Sequence, residues 1–129
     1  MKTTMKLMLM LLVAAGMLTF SSCKKEKEQK QLPETITVSG QVTDENGQPF
    51  ENVSVYVDES SFMMIAIPVA NTHTDENGLY QIEFSPKGGQ SYSIEFQILK
   101  DDYQYYHDHY LDPWEAEQEY DAVLKKATD

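Results

Sequence analysis

The chain has 129 residues and a formal net charge of −11, with 21 acidic residues against 10 basic ones. Such an excess of negative charge repels phosphate backbones, so nucleic acid is not expected as a partner. The length suits one small domain with one hydrophobic core. Cys23 is the only cysteine, which rules out a disulfide within the chain. Packing and hydrogen bonds alone must therefore hold the fold.

The first 22 residues have the order of a secretory signal. A basic start precedes an apolar run over residues 7–20, and two serines then precede Cys23. The run is shorter than the roughly 20 residues that span a bilayer as a helix. This pattern resembles a bacterial lipoprotein signal peptide with its lipobox. The resemblance implies cleavage before Cys23 and a covalent lipid on that residue, and we expect no other cofactor. A signal peptide followed by an ordinary thiol is the alternative.

Residues 23–34 predict a lipidated cysteine followed by a charged tether. Residues 24–34 contain almost nothing apolar, and Pro33 interrupts regular structure. Fully extended, a segment of this length reaches roughly 36 Å. Lys24 after the cysteine fits sorting to the outer membrane under the rule familiar from enteric bacteria. We therefore expect a protein anchored in that membrane by its lipid, on either the periplasmic or the surface face.

Four later stretches alternate apolar and polar side chains, which is typical of half-buried strands in an antiparallel sheet. They cover residues 36–42, 53–57, 80–84 and 92–98. The sequence Thr-Asp-Glu-Asn-Gly occurs twice between them, at 43–47 and 74–78. Aspartate can bond backbone groups two residues on, while asparagine and glycine tolerate positive φ. Both copies predict tight turns formed by Asp44, Asn46, Gly47, Asp75, Asn77 and Gly78. Neither glycine is followed six residues later by the glutamate of a calcium loop.

Residues 38–55 resemble the opening of a carboxypeptidase regulatory-like domain. They contain a Gly-x-Val strand, an Asp-x-x-Gly turn, a proline and a strand of alternating valines. Residues 72–82 are similar to the second element of that family, Thr-x-Thr-Asp-x-x-Gly-x-Tyr. The resemblance implies an all-β, seven-stranded, Greek-key β-sandwich of the transthyretin-like type, which we place at residues 35–126. It also implies a non-catalytic module, such as an appendage of a peptidase or part of a surface lipoprotein.

Two segments depart from the family pattern. Residues 62–69 are unusually apolar, which favours a buried strand plus a loop packed on the core, with Pro68 at an edge or a bulge. The alternative is an exposed patch that docks a partner. Residues 100–119 are rich in aromatic and acidic side chains, which are found at protein and sugar interfaces and also in ordinary packing. The candidate partner-binding residues are Phe62, Met63, Met64, Tyr103, Tyr105, Tyr106, Tyr110 and Trp114.

The second of these segments also carries the best metal candidate. As a strand it would place Tyr103, Tyr105, His107 and His109 on one face, with Tyr106, Asp108 and Tyr110 on the other. Two histidines on one face are a weak zinc signal without a defined third ligand. A solvated strand face is the alternative.

The end of the chain is ambiguous between helix and strand. Residues 112–115 combine a capping aspartate, a proline and a glutamate, as many helix starts do. The family instead ends in a strand, which would turn Tyr120, Ala122 and Leu124 inward. We predict a short helical turn near residues 113–117 and a last strand at about 119–126.

Together these patterns predict a non-enzymatic, lipid-anchored envelope protein that binds a protein or a glycan. No nucleophile-elbow pattern such as Gly-x-Ser-x-Gly is present. One alternative is a structural spacer or assembly factor of the outer membrane. The other is a small metal-dependent hydrolase that uses His107 and His109.

Overall fold

The computed structural model describes residues 30–62 and 65–127. The predicted signal peptide, Cys23 and most of the tether lie outside these residues, as do Met63 and Met64. Within the described part the chain forms strands and no helix, and no helix there is long and apolar enough to cross a bilayer. The strands are β1 Ile36–Thr43, β2 Ser54–Ser60, β3 Ile67–His73, β4 Leu79–Phe84, β5 Ser91–Lys100, β6 Tyr103–Leu111, β7 Glu117–Glu119, β8 Ala122–Val123 and β9 Lys125–Lys126.

The strands form two sheets, which confirms the all-β class and the β-sandwich. One sheet has the order β4-β1-β7, with β8 also paired to β1, and the other has the order β3-β2-β5-β6-β9. β1 runs antiparallel to β4 but parallel to β7 and β8. The larger sheet is antiparallel throughout. The described residues form nine strands where seven were predicted, because β7, β8 and β9 are separate pieces of two or three residues.

The apolar positions of the alternating stretches fill the space between the sheets. Tyr80 on β4 meets Phe96 on β5 with ring centroids 5.2 Å apart, and Phe84 meets Tyr92 at 4.8 Å. Each such aromatic pair joins the two sheets and contributes about 0.5–1.5 kcal/mol beyond simple burial. The fully buried side chains include Ile36, Val38, Val42, Val53, Val55, Val57, Ile94, Phe96 and Leu124.

Gly40 lets the end of the chain approach β1 closely. A Cβ at this position would lie 1.8 Å from the carbonyl oxygen of Tyr120, so only glycine allows the approach. The Tyr120 N–H donates to the Ser39 carbonyl at 2.9 Å, and the Gln41 N–H donates to Asp121 Oδ1 at 2.8 Å. The connection between β7 and β8 is thus clamped against β1.

The helical turn predicted near residues 113–117 is wrong. Pro113 and Trp114 form a plain turn, and the chain is extended again from Glu117. Asp112 does cap this turn, since its Oδ1 accepts from the Trp114 N–H at 2.9 Å. The parallel pairing of β7 with β1 leaves no room for the turn to continue as a helix. The inward orientation predicted for Ala122 and Leu124 is confirmed by their burial.

The apolar stretch at residues 62–69 agrees with the prediction in the position of Pro68 but not in the packing of its side chains. Pro68 lies on the edge strand β3, opposite Asp58, where the register with β2 shifts, so the predicted edge or bulge position is confirmed. The predicted packing on the core is wrong for the side chains that the structure describes. Phe62 is 97% exposed and Ile65 86% exposed, and Ile67 and Val69 also face outward into open space. These side chains lie on a short loop and on an edge strand, where no other described strand covers them.

Candidate binding surface

Both copies of Thr-Asp-Glu-Asn-Gly form the predicted turn. Asp44 Oδ1 accepts from the backbone N–H groups of Asn46 and Gln48, each at 2.9 Å. Asp75 Oδ1 accepts in the same way from Asn77 and Leu79, each at 2.9 Å. The glycine of each copy has positive φ, 80° at Gly47 and 74° at Gly78. These residues therefore serve the fold.

Strand β6 has the two faces that the sequence predicts, and its inner face packs on the core. Tyr105 meets the Phe50 ring edge to face, with centroids 5.1 Å apart, and packs against the core cluster. Tyr105, a candidate partner-binding residue, is therefore turned away from any partner on the outer face. Farther along this inner face lie His107, His109 and the buried Leu111.

His107 and His109 hold Tyr120. The His109 ring stacks on the Tyr120 ring with centroids 3.9 Å apart, and His107 Nε2 is hydrogen-bonded to the Tyr120 hydroxyl. Burial, followed by the charge of Asp108, raises the pKa of Tyr120. No group of three or more histidine, cysteine, aspartate or glutamate side chains among the described residues is arranged to hold a metal ion. In this geometry the two imidazoles hold the C-terminal segment against the β-sandwich through their contacts with Tyr120.

The remaining candidates in the second segment are exposed. Tyr110 is 81% exposed, and Tyr106 and Trp114 also present open surface. Tyr103 is exposed as well, but the Lys126 ammonium lies 3.8 Å from its ring centroid, so part of that ring is already in contact. Tyr106 and Tyr110 lie on the outer face of the five-stranded sheet, and Trp114 lies in the turn after β6.

The outer face of the five-stranded sheet also carries carboxyl groups that sequence analysis missed. Tyr56 on β2 stands opposite Glu95 on β5, and Glu95 stands opposite Asp108 on β6. Asp58 and Glu95 border a groove of about 410 Å³. Its lining consists of Tyr56, Asp58, Ala66, Pro68, Glu95 and Gln97.

Asp58 and Glu95 are hydrogen-bonded to each other in this groove. Asp58 is only 7% exposed, and burial, followed by its hydrogen bond to Glu95, raises its pKa to about 7. The same hydrogen bond lowers the pKa of Glu95. The Tyr106 hydroxyl donates to Glu95 Oε1 at 2.7 Å, and burial and the Glu95 carboxylate together raise the pKa of Tyr106. Below a pH of about 7, Asp58 is therefore the protonated member of the pair and Glu95 the charged one.

A larger groove of about 650 Å³ crosses the other sheet, over β1 and β4. Two of its carboxylates already support the backbone, since Asp75 caps a turn and Asp121 accepts from the Gln41 N–H. Gln41 in turn donates from its side chain to the Asn77 carbonyl at 2.9 Å. This groove is therefore lined by groups that hold the fold, and the outer face of the five-stranded sheet is the better candidate.

Three solved structures are distantly similar to this chain. A 9R-lipoxygenase from Cyanothece PCC8801 has 14% identity and a TM-score of 0.49, over 82% of this chain and 19% of that one. A 3-chlorocatechol 1,2-dioxygenase from Rhodococcus opacus 1CP has 18% identity and a TM-score of 0.48, over 78% and 62%. A chlorocatechol 1,2-dioxygenase from Pseudomonas putida has 14% identity and a TM-score of 0.47, over 70% and 60%. This chain thus spans less than two thirds of each of those proteins.

Comparison with curated proteins finds no match to this chain. The sequence model of the carboxypeptidase regulatory-like domain does match, over residues 37–109. That range begins in β1, includes both Asp-x-x-Gly turns and ends in β6. Because the match covers more than half of the sequence, the chain belongs to the family of carboxypeptidase regulatory-like domains.

Proposed function

We propose that this protein is a non-catalytic binding module, anchored by a lipid at Cys23 to the outer membrane of a bacterium, that captures an envelope protein or glycan. The observation that carries the proposal is the exposure of large side chains on a domain whose core is otherwise well filled. Phe62 and Tyr110 are almost fully exposed, and Tyr106 and Trp114 are partly exposed. Tyrosine and tryptophan are the side chains that most often anchor interfaces.

The larger sheet carries two further groups of exposed side chains, and Phe62 and Trp114 lie in connections next to its strands. Tyr106 and Tyr110 project from β6, whereas Ile67 and Val69 project from the edge strand β3. Residues 60–70 carry no charge in a chain of which 24% is charged. Phe62 and residues 65–69 of this uncharged stretch are exposed, which is unusual for a surface that meets only water.

A pull-down from native membranes tests the binding role. We expect the lipidated protein to retain one partner after cross-linking, and the paired change of Phe62→Ala and Tyr110→Ala to reduce that yield about tenfold. Leu99→Ala is the matched control, because Leu99 is exposed on the same sheet but lies at its far end. Equal recovery of a stoichiometric membrane protein with all three proteins would instead indicate a structural spacer.

The anchor has a separate test. Mass spectrometry of protein from its natural host should find Cys23 at the mature N-terminus and carrying acyl chains. Each buried methylene contributes about 0.8 kcal/mol, so two or three chains hold a protein firmly on a bilayer. Cys23→Ser should therefore release the protein from membranes. A free, unmodified thiol at Cys23 would contradict the anchor while leaving the binding surface untouched.

A further inference from the structure

The groove on the outer face of the five-stranded sheet contains an unusual pair of side chains. Asp58 and Glu95 come from neighbouring strands and are hydrogen-bonded to each other. Asp58 is 7% exposed, although carboxylates are rarely buried without a compensating charge. The space in front of the pair amounts to about 410 Å³, which is enough for a long side chain. We call this groove, which Tyr56, Asp58 and Glu95 line together, the carboxyl groove.

The negative charge of the carboxyl groove is not neutralised within the described part of the chain. Neither Asp58 nor Glu95 lies within ion-pair distance of a described lysine, whereas Glu59 on the same strand is 3.9 Å from Lys87 Nζ. Asp108 stands directly opposite Glu95, and like charges opposite each other across a sheet are destabilising. The surface therefore favours a positively charged occupant.

The tyrosine side chains beside the two carboxyl groups favour one kind of cationic side chain over another. Tyr56 stands opposite Glu95 in the register of β2 and β5, and the Tyr106 hydroxyl is fixed on Glu95 Oε1. Two carboxyl groups beside the Tyr56 ring, which also lines the groove, match a guanidinium, which is planar, donates in a fork and stacks on aromatic faces. A lysine ammonium would gain the charge attraction but not the fork or the stacking.

The geometry points to an arginine side chain of a partner protein as the occupant of the carboxyl groove. This inference rests on the proposed binding role and names the chemistry of the partner. The guanidinium bridges Asp58 and Glu95, and the Asp58 proton leaves to solvent. No covalent bond forms or breaks. A glycan, the other class of partner, would leave the buried negative charge without an opposite charge.

The inference carries a specific pH dependence. The pKa of Asp58 is raised to about 7 by burial and by Glu95, so below that pH a proton occupies the place that the cation needs. Arginine binding should therefore strengthen as the pH rises through about 7. The titratable groups around Asp58 are Tyr56 on its own strand, Glu95 on β5 and Tyr106 on β6, and Asp108 on β6 stands opposite Glu95. Lys125 of β9 stands opposite Tyr106 in the strand register.

The test uses the full-length protein in detergent and the acetylated peptide Gly-Arg-Gly-Arg-Gly as the probe. We expect Asp58→Asn to weaken peptide binding about tenfold at a pH of about 8, because the variant cannot form the charged hydrogen bond to the guanidinium. The substitution mimics the protonated acid, so the remaining binding should no longer depend on pH. Glu83→Gln is the matched control, because it removes one negative charge from an exposed position on the other sheet and should leave binding unchanged.

Three outcomes of these binding measurements would overturn the inference. They are equal weakening by Glu83→Gln, equal binding of the same peptide with lysine in place of arginine, and binding of chitohexaose where the arginine peptide fails to bind. If circular dichroism shows that Asp58→Asn disturbs the fold, Glu95→Gln provides the same test from the other partner, with the same expected loss. A partner recovered from native membranes equally well by wild type and Asp58→Asn would refute the arginine groove while leaving the binding role intact.

Discussion

The two copies of Thr-Asp-Glu-Asn-Gly make a natural comparison, because the same five residues form the same turn in two places. In each copy the aspartate side chain accepts two backbone N–H groups at 2.9 Å. In each copy the glycine N–H donates back to the aspartate carbonyl, at 3.0 Å in the first and 2.9 Å in the second. Local sequence alone therefore determines the conformation of these turns.

The surroundings of the two copies differ sharply. A Cβ at Gly47 would meet nothing within 4 Å, whereas a Cβ at Gly78 would lie 2.4 Å from the Val42 carbonyl oxygen. Thr43 is partly exposed, whereas Thr74 is buried and donates from Oγ1 to the Phe50 carbonyl at 2.6 Å. The first turn is a surface connection, and the second is part of the joint between the two sheets. We therefore expect the two copies of the same five residues to contribute very differently to the free energy of unfolding.

The largest expected difference is between alanine at Gly78 and alanine at Gly47. Gly78→Ala combines positive φ with a clash against backbone that cannot move away, so we expect a loss of at least about 3 kcal/mol in the free energy of unfolding. Gly47→Ala should cost only about 1 kcal/mol, because the strain of positive φ is its only penalty. Urea unfolding followed by circular dichroism measures both.

The outcome of that measurement bears directly on the comparison. If the two alanine variants lost equal stability, the close approach of Gly78 to Val42 would not exist in solution. Gly88→Ala is a useful third variant, since a Cβ there meets nothing within 4 Å and its φ is not in the left-handed region. It should leave the unfolding free energy nearly unchanged.

The next largest difference should appear at the threonines. Thr74→Val keeps the shape of the side chain but removes the hydroxyl that donates to the Phe50 carbonyl and accepts from the Val53 N–H at 2.9 Å. Two buried backbone groups then lose their partners, which should cost about 1–3 kcal/mol. Thr43→Val should change stability by less than about 0.5 kcal/mol. A large loss at Thr43 would mean that the first turn is also a structural joint.

The strands show how much of the fold the sequence contains. Alternation predicts residues 36–42, 53–57, 80–84 and 92–98, and the structure has strands at Ile36–Thr43, Ser54–Ser60, Leu79–Phe84 and Ser91–Lys100. These segments are predictable because one face of each is buried and the period of a strand is two. The end of the chain is not predictable in this way. Its path depends on the contact between Gly40 and Tyr120, which are 80 residues apart in sequence.

The candidate surface was predictable only in part. The alternation along β6 correctly separates Tyr105 from Tyr106, but it does not say which face is inward, because both faces carry tyrosines. The carboxyl groove was missed because Asp58 and Glu95 meet only when β2 pairs with β5. The sequence does predict that both side chains point away from the core. Val57 precedes Asp58 and Ile94 precedes Glu95, and both of these apolar residues are buried. Which strands are neighbours is set by long-range packing that no short pattern records.

The smallest expected difference in stability is between the two aspartate variants. It tests whether both copies of the five-residue sequence form the same turn independently of their surroundings. Asp44→Ala and Asp75→Ala each remove one acceptor that serves two exposed backbone N–H groups. Water can replace the lost acceptor in both, so each variant should lose only about 1 kcal/mol in the free energy of unfolding. The two losses should agree within about 0.5 kcal/mol. A clearly larger loss at Asp75 would show that the second turn needs the surrounding sheets to form, so that its conformation, and not only its energetic weight, depends on tertiary context.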